Sequence, residues 1–508
     1  MIRFLVSTLT ILAASAAVTC HARPDVDKAQ LQSRYSASDL ATRDGQKDYT
    51  HVCLRIASSI SPSAVHYPGS PVYAWLNSHW SASSDQPSAC VAEPRSVSDV
   101  STILRIIGQT RTPFAVQSGG HATNPGFSST LGVHISLYSL RSIDYSSTSQ
   151  TVEIGTGLKW DDVYAALEPH GMSVAGGRVT DVGVGGFTLG GGYSWKTNQH
   201  GLAIDTVTAL ELVKPNGDVV QVTEKCDSEL FFGLKGASNN FGIVTKITLK
   251  TFAQGPGGFA SFTSPQAIAG LDAATAKFST EVKDPKASIL STFTYYQGSL
   301  SGSVQLFYDG PNPSPEIFDD IMALSSTSAD VSTRSHLSLI LSTPANATYG
   351  LRTYFDTLPV VDYSPEFLEL VRDTSVAVGQ ELASTSFLSL SLVAEPFLPT
   401  ILSHNPSRTA YPFTRSKMYT PFNIMISWAN ATDDEVIAEV VKKIRNRLSK
   451  ALVAEGQSDI VDAPLYPNYA LYDTPVKRIY GSNLPALKAL KARVDPANVM
   501  GLAGGFKV

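Results

Sequence analysis

The stretch Asp181-Val182-Gly183-Val184-Gly185-Gly186-Phe187-Thr188-Leu189-Gly190-Gly191-Gly192-Tyr193 decides how the rest of the chain is read. Six of the ten residues from Gly183 to Gly192 are glycine. Lacking Cβ atoms, such a loop can bring its backbone against a ligand and point N–H groups at it, as a diphosphate requires. The interleaved Val, Phe and Leu argue against a flexible Gly/Ser linker. Two familiar phosphate loops are excluded. Thr188 stands where a Rossmann fingerprint begun by Gly183 and Gly185 needs its third glycine, and no Gly-Lys-Ser/Thr follows for a P-loop.

About 60 residues upstream lies Gln117-Ser118-Gly119-Gly120-His121-Ala122, directly after the strand-like Phe114-Ala115-Val116. Two glycines after a strand make an anion-ready turn with a histidine at its end. No ligand-type residue stands at metal spacing from His121, and no Gly-x-Ser-x-Gly elbow marks a serine hydrolase.

Around these loops, residues 90–250 alternate strand and helix signals. Ser96 with Asp99 reads as a capping box opening a helix that carries Val100, Ile103, Leu104 and Ile107 on one face. Trp160 to Leu167 reads as a helix closed by Gly171. Val207–Val213 and Val219–Val222 flank Pro215-Asn216-Gly217, a hairpin signal. Past Gly255-Pro256-Gly257-Gly258 the pattern turns to long strands, Ile289–Tyr296 and Ser303–Tyr308. A helix over Asp433–Leu452 presents Val436, Ile437, Val440, Val441, Ile444 and Leu448 to a sheet.

Composition bounds the function. The chain has 508 residues, 43% hydrophobic and 16% charged, so it can build a large core. Length alone suggests about three domains. A net charge of −5 without a Lys/Arg block excludes a basic stripe for nucleic acid or anionic membrane. Residues 1–22 read as a secretory signal peptide: Arg3, the apolar run Phe4 to Val18, then cleavage after Ala16 or, preferably, after Ala22. The expected protein is exported, soluble and monomeric. In an oxidising compartment Cys53 and Cys90, both in the N-terminal part, are paired, which would stabilise by about 3–4 kcal/mol. Cys226 is expected to be a buried spectator. The sequons at Asn346 and Asn430 fit a glycosylated surface.

Together the two glycine loops resemble those of the vanillyl-alcohol-oxidase (PCMH-type) FAD-binding domain in its berberine-bridge-enzyme-like branch. Further blocks agree: Ala89-Cys90-Val91-Ala92-Glu93-Pro94-Arg95-Ser96, Asn198-Gln199-His200-Gly201-Leu202-Ala203-Ile204-Asp205, Leu230 to Thr245, Tyr466-Pro467-Asn468-Tyr469, Tyr480-Gly481-Ser482-Asn483 and Asp495-Pro496-Ala497-Asn498-Val499. The resemblance runs from Cys53 to the end. It implies an α+β fold: a two-lobed FAD domain over 23–255, an α+β substrate domain with an antiparallel sheet over 256–460, and a segment 461–508 returning to the FAD domain.

It also implies site residues. His121 would be joined to the 8α-methyl of FAD, while Ser118, Gly119, Gly120, Ala122, Val182, Gly183, Gly185, Gly186, Gly190, Gly191, Gly201, Ile204, Val244 and Asn468 would line the cofactor. Val179 replaces the cysteine that gives many members a second link, so one link is expected. Val182 sits at the position that admits O2. Tyr466, with Tyr193, would remove a substrate proton, and Asn423 takes the place of a Glu or Gln on the strand over the flavin. A phenol of pKa about 10 is a poor base unless a cation or donor assists it. The expected activity is oxidation of a small alcohol or natural-product intermediate by FAD, with O2 as acceptor and hydrogen peroxide as product. A carbohydrate oxidase is the alternative, and a flavin-carrying glycoprotein without turnover is the reading from another class.

Overall fold

Parallel strands need a crossover, and the first lobe obtains one from the capped helix Val97–Thr110. Both halves of the capping box form, and Val100, Ile103, Leu104 and Ile107 are fully buried. A computed structural model of the chain describes residues 48–264 and 268–508. The signal-peptide reading of 1–22 lies outside the described residues.

The helix connects Cys90–Ala92 to Phe114–Gln117, with Val133–Ser136 between them in the sheet and parallel to both. Phe114–Gln117 therefore delivers the Ser118–His121 loop at the carboxyl end of a parallel strand, where open sheets of this kind bind ligands. Cys53, on the helix Thr50–Ser59, is disulfide-bonded to Cys90, with Cα atoms 6.1 Å apart.

The second lobe is a five-stranded antiparallel sheet in the order Ile143–Ser146, Thr151–Gly155, Ile243–Lys250, Val207–Val213 and Val219–Val222. The last two strands form the expected hairpin, with Gly217 at φ 86°. Trp160–Leu167 forms as read and runs into a 3-10 turn closed by Gly171 at φ 63°. The long glycine loop enters the short helix Val184–Leu189.

A seven-stranded antiparallel sheet follows, with Ala287–Tyr296, Phe387–Ala394, Thr420–Trp428 and Arg352–Val360 at one end of its order. Strand alternation divides its faces. Phe293, Leu392, Leu358, Phe422, Ile424 and Ile426 are buried in the core that also contains residues of helices Pro365–Glu381 and Asp434–Ala454. Asn423, Met425, Phe355 and Thr357 occupy the opposite face. The C-terminal segment is shared by both lobes. Leu465, Ala470, Tyr480, Leu487 and Phe506 join the second-lobe core, and Val499, Met500 and Ala503 join the first.

Two details differ from the sequence reading. Cys226 is exposed, because it sits in the turn after the hairpin with its N–H on Thr223 O. Val436 is 49% exposed, since the buried stripe of its helix starts one residue later, at Ile437. Asn430 is exposed just past the end of the strand Thr420–Trp428. Among the described residues no helix is long and apolar enough to cross a membrane.

Candidate functional site

The two glycine loops cross each other. A Cβ on Gly119 would lie 2.4 Å from Gly183 Cα, and one on Gly183 would lie 2.2 Å from Gly119 N. Side chains are excluded there by backbone on both sides. Ser118 fastens the crossing: its Oγ accepts from Gly185 N–H at 3.1 Å and donates to Thr156 O at 2.5 Å. Thr156 Oγ1 in turn donates to Val244 O at 2.9 Å. Val182 O accepts from Trp160 N–H, which pins the long loop to its helix. Gly186, by contrast, is exposed, with nothing within 4 Å of where a Cβ would point. Ala122 and Val179 are half-buried near the two loops.

Downstream glycines are set by tyrosines. Gly191, at φ 122°, leaves room for Tyr411 and Tyr466, and Gly190 abuts Asn468. Gly191 O and Gly192 O accept from Ile204 N–H and Ala203 N–H, which draws the Gly201–Ile204 block beneath the loop. Gly201 itself adopts φ 82°, its backbone against Asp205.

His121 is half-buried, but its Nδ1 is buried with no hydrogen-bond partner. Its ring stacks on Trp80, centroids 4.4 Å apart and planes at 18°. Burial holds the imidazole pKa down to about 4. Lys159 lowers it further, and Asp181, which is ion-paired to Lys159, opposes both. The ring is therefore neutral at ordinary pH, the form in which a nitrogen is a nucleophile.

Tyr466 is 3% exposed and meets Tyr193 edge-on at 4.8 Å, as expected of one pocket. Its oxygen accepts from Asn468 Nδ2 at 2.9 Å and from the Gly192 backbone, so both partners are N–H donors. Burial nevertheless pushes the phenol up to about 12, against those donors and Arg178. Tyr193 is also raised by burial, and its hydroxyl lies 3.2 Å from that of Tyr411.

Tyr469, edge-on to Tyr466 at 4.8 Å, has a different pair of partners. Its hydroxyl accepts from Arg178 Nη2 at 3.0 Å and donates to Glu395 Oε1 at 3.0 Å. Arg178 and Glu395 are ion-paired at 2.6 Å. Burial opposes the Arg178 charge, but Glu395 and Tyr469 more than restore it. Burial raises the Glu395 carboxyl, with Arg178 pulling it back. Phe355 links this cluster to His121, 5.8 Å from Tyr469 and 5.8 Å from Trp80. Asn423 shares the sheet face of Phe355 and is 7% exposed, its Oδ1 without a hydrogen-bond partner.

The structure thus gathers His121, Tyr193, Tyr466, Asn468 and the glycine loops into one region. Sequence reading missed Trp80, Arg178, Glu395 and Tyr411, and quoted Tyr469 without a role. Arg178 directly precedes Val179, but nothing in a one-dimensional pattern marks it as buried.

An FAD fits these residues. Two crossing glycine loops, the open side of Gly186 and the unpartnered Nδ1 of a neutral His121 leave space and contacts for a dinucleotide.

An FAD binding domain family matches residues 87–223, which contain both loops. The chain is 31% identical over 461 residues to the FAD-dependent monooxygenase drtC of Aspergillus calidoustus, covering 85% of each. Its fold is that of the Microdochium nivale carbohydrate oxidase, with a TM-score of 0.74 at 19% identity over 91% of this chain and 99% of that one. It is equally that of Physcomitrella patens BBE-like 1, with a TM-score of 0.72 at 18% identity over 88% and 97%. Identity over most of its length, with these loops, makes the chain a member of the FAD-linked oxidoreductases, with an FAD-binding domain, in the fold shared with the BBE-like protein.

Proposed function

We propose that this oxidoreductase is a secreted oxidase that takes a hydride from a small alcohol or natural-product intermediate, with O2 as acceptor and hydrogen peroxide as product. The observation that carries the reading is the Tyr466–Tyr469 pair, backed by Glu395 and Arg178. Oxidising an alcohol requires a C–H hydride acceptor and a base for the O–H. FAD bound at the glycine loops and joined to His121 supplies the hydride acceptor; Val179 offers no thiol for a second link.

The chain's own residues handle the proton, and the role expected of Tyr466 is shared between two tyrosines. With N–H donors on its oxygen, Tyr466 keeps its own proton for the substrate oxygen and orients it. Tyr469 has an onward acceptor: as it takes the substrate proton on Oη, its own passes to Glu395 Oε1. Arg178 holds Tyr469 Oη and the other carboxylate oxygen, Glu395 Oε2, in place. Asn423 Oδ1, unpartnered and buried, accepts a further donor of the substrate, which suits a hydroxylated or amide-bearing molecule. Tyr193, Phe397 and Tyr411 pack aromatic surface around Tyr466, which favours a compact, fairly apolar substrate.

A second reading is supported by the relatives' name, monooxygenase. Labelled 18O2 separates the two. An oxidase bleaches anaerobically with its alcohol, recovers in air and releases peroxide with no label in the organic product. Label in that product, at one oxygen per turnover, would overturn the oxidase reading. Peroxide formed with oligosaccharides and not with aromatic or polyketide-like alcohols would move the substrate class to carbohydrates.

A further inference from the structure

We propose that Trp80 is a positioning residue that holds the His121 ring in place for attachment of the flavin, and that it ties this anchor loop to the seven-stranded sheet. The inference rests on the covalent attachment proposed above. Four contacts fix Trp80, which is 4% exposed. Its ring covers one face of the His121 imidazole at 4.4 Å. Its backbone N–H donates to Gly120 O at 2.9 Å, the residue before His121. Its Nε1–H donates to Ala345 O at 2.8 Å, and its carbonyl accepts from Gly350 N–H at 2.8 Å.

The flanking residues continue the seam along the edge strand Arg352–Val360. Ala82 N–H donates to Leu351 O, Ser81 Oγ and Ser83 Oγ reach Thr353 O, and Thr353 N–H returns to Ser81 Oγ. On the other side, Gln117 Nε2 donates to Ser78 O. One short segment, residues 78–83, therefore bridges the anchor loop and the substrate domain.

The chemistry needs such a support. In attachment, an imidazole N–H and a ring-methyl C–H are lost, one C–N bond forms, and the two hydrogens leave on O2 as hydrogen peroxide. Only a neutral imidazole has the free electron pair. An exposed imidazole, with its ordinary pKa of about 6.5, loses neutral form roughly tenfold per pH unit below that value. Burial lowers the His121 pKa to about 4, so the electron pair is free at both pH 5.5 and pH 8, and what stacking on Trp80 supplies is the orientation of the ring. The charged groups facing it are Lys159 and Asp181, which pair with each other.

The test is covalent flavin itself, measured as the fraction that stays with acid-precipitated protein after apo-protein is mixed with FAD in air at pH 5.5 and pH 8. Wild type should attach flavin at similar rates at both values. Trp80→Met, which keeps bulk without a flat ring, should bind flavin but attach it about tenfold more slowly at both pH values. Trp80→Phe, which keeps a ring to stack on the imidazole, should restore the rate. A wild-type attachment rate in Trp80→Met at full flavin binding overturns the proposal. So does a Trp80→Phe rate tenfold down at full flavin binding, a result that stands even if Trp80→Met does not fold. Wild type that releases all flavin on denaturation at both pH values instead refutes the attachment through His121, and the role of Trp80 with it.

Discussion

Adding one carbon at the loop crossing is the sharpest probe of how this site is built. In Gly119→Ala the new Cβ would lie 2.4 Å from both Cα and N of Gly183. Carbon contacts are comfortable at roughly 3.5–4.0 Å, so the loops must part by about 1 Å. No side chain can swing aside, because both neighbours are backbone. Overpacking of this kind costs roughly 1–3 kcal/mol, and more where nothing yields. At tenfold per ~1.4 kcal/mol, the docked arrangement becomes roughly 5- to 150-fold less favoured. The control is Gly255→Ala, where a Cβ meets nothing within 4 Å. The assay pairs flavin stoichiometry from the visible absorbance with the urea midpoint. Gly119→Ala should lose flavin and shift the midpoint down at unchanged slope, while Gly255→Ala should match wild type. Full flavin content at the wild-type midpoint in Gly119→Ala would mean that the loops do not cross as described.

Glu395→Gln leaves Tyr469 without a proton acceptor, and substrate-driven flavin reduction should slow by roughly 10²–10⁴-fold, the range for a lost general base; stopped-flow reduction checks it. If Tyr466 orients the substrate as proposed, Tyr466→Phe should mainly raise KM in steady-state kinetics. His336 is buried, its Nδ1 2.7 Å from Ser173 Oγ, and burial lowers its pKa to about 3. The unfolded chain takes up that proton below about pH 6.5 and the folded protein only near 3, so stability falls as pH drops through this window. The loss is about 2 kcal/mol between pH 7 and 5, and His336→Gln should flatten that part of the denaturation profile. Reducing the Cys53–Cys90 bond, which closes 37 residues, should cost about 3–4 kcal/mol in thermal or urea unfolding.

What could be read from sequence was local. The Ser96–Asp99 cap, the hairpin over Pro215-Asn216-Gly217 and the helix after Trp160 are written in neighbouring residues, and they form as read. The glycine runs announced a phosphate cradle because only glycine tolerates such close approach. The Cys53–Cys90 pairing also formed. Contacts between residues far apart in the chain stayed hidden. Trp80 acquires meaning only from a ring 41 positions later and a carbonyl at Ala345. Arg178 and Glu395 are separated by 217 residues, and a buried ion pair has no periodicity. Val436 lies at the edge of the helical stripe, where a step of one residue carries a side chain from the core to solvent.

The C-terminal segment sets an order of events during synthesis. Chains emerge from the ribosome N-terminus first, at roughly 5–20 residues per second, and domains tend to fold as they appear. Here the cradle cannot close that way. Asn468 braces Gly190 and Tyr466, and Val499, Met500, Ala503 and Phe506 fill gaps in both lobes. Until those residues arrive, the glycine loops lack their backing. Cofactor loading is therefore a late step, made by a nearly complete chain, and a nascent polypeptide halted before Tyr466 should emerge colourless.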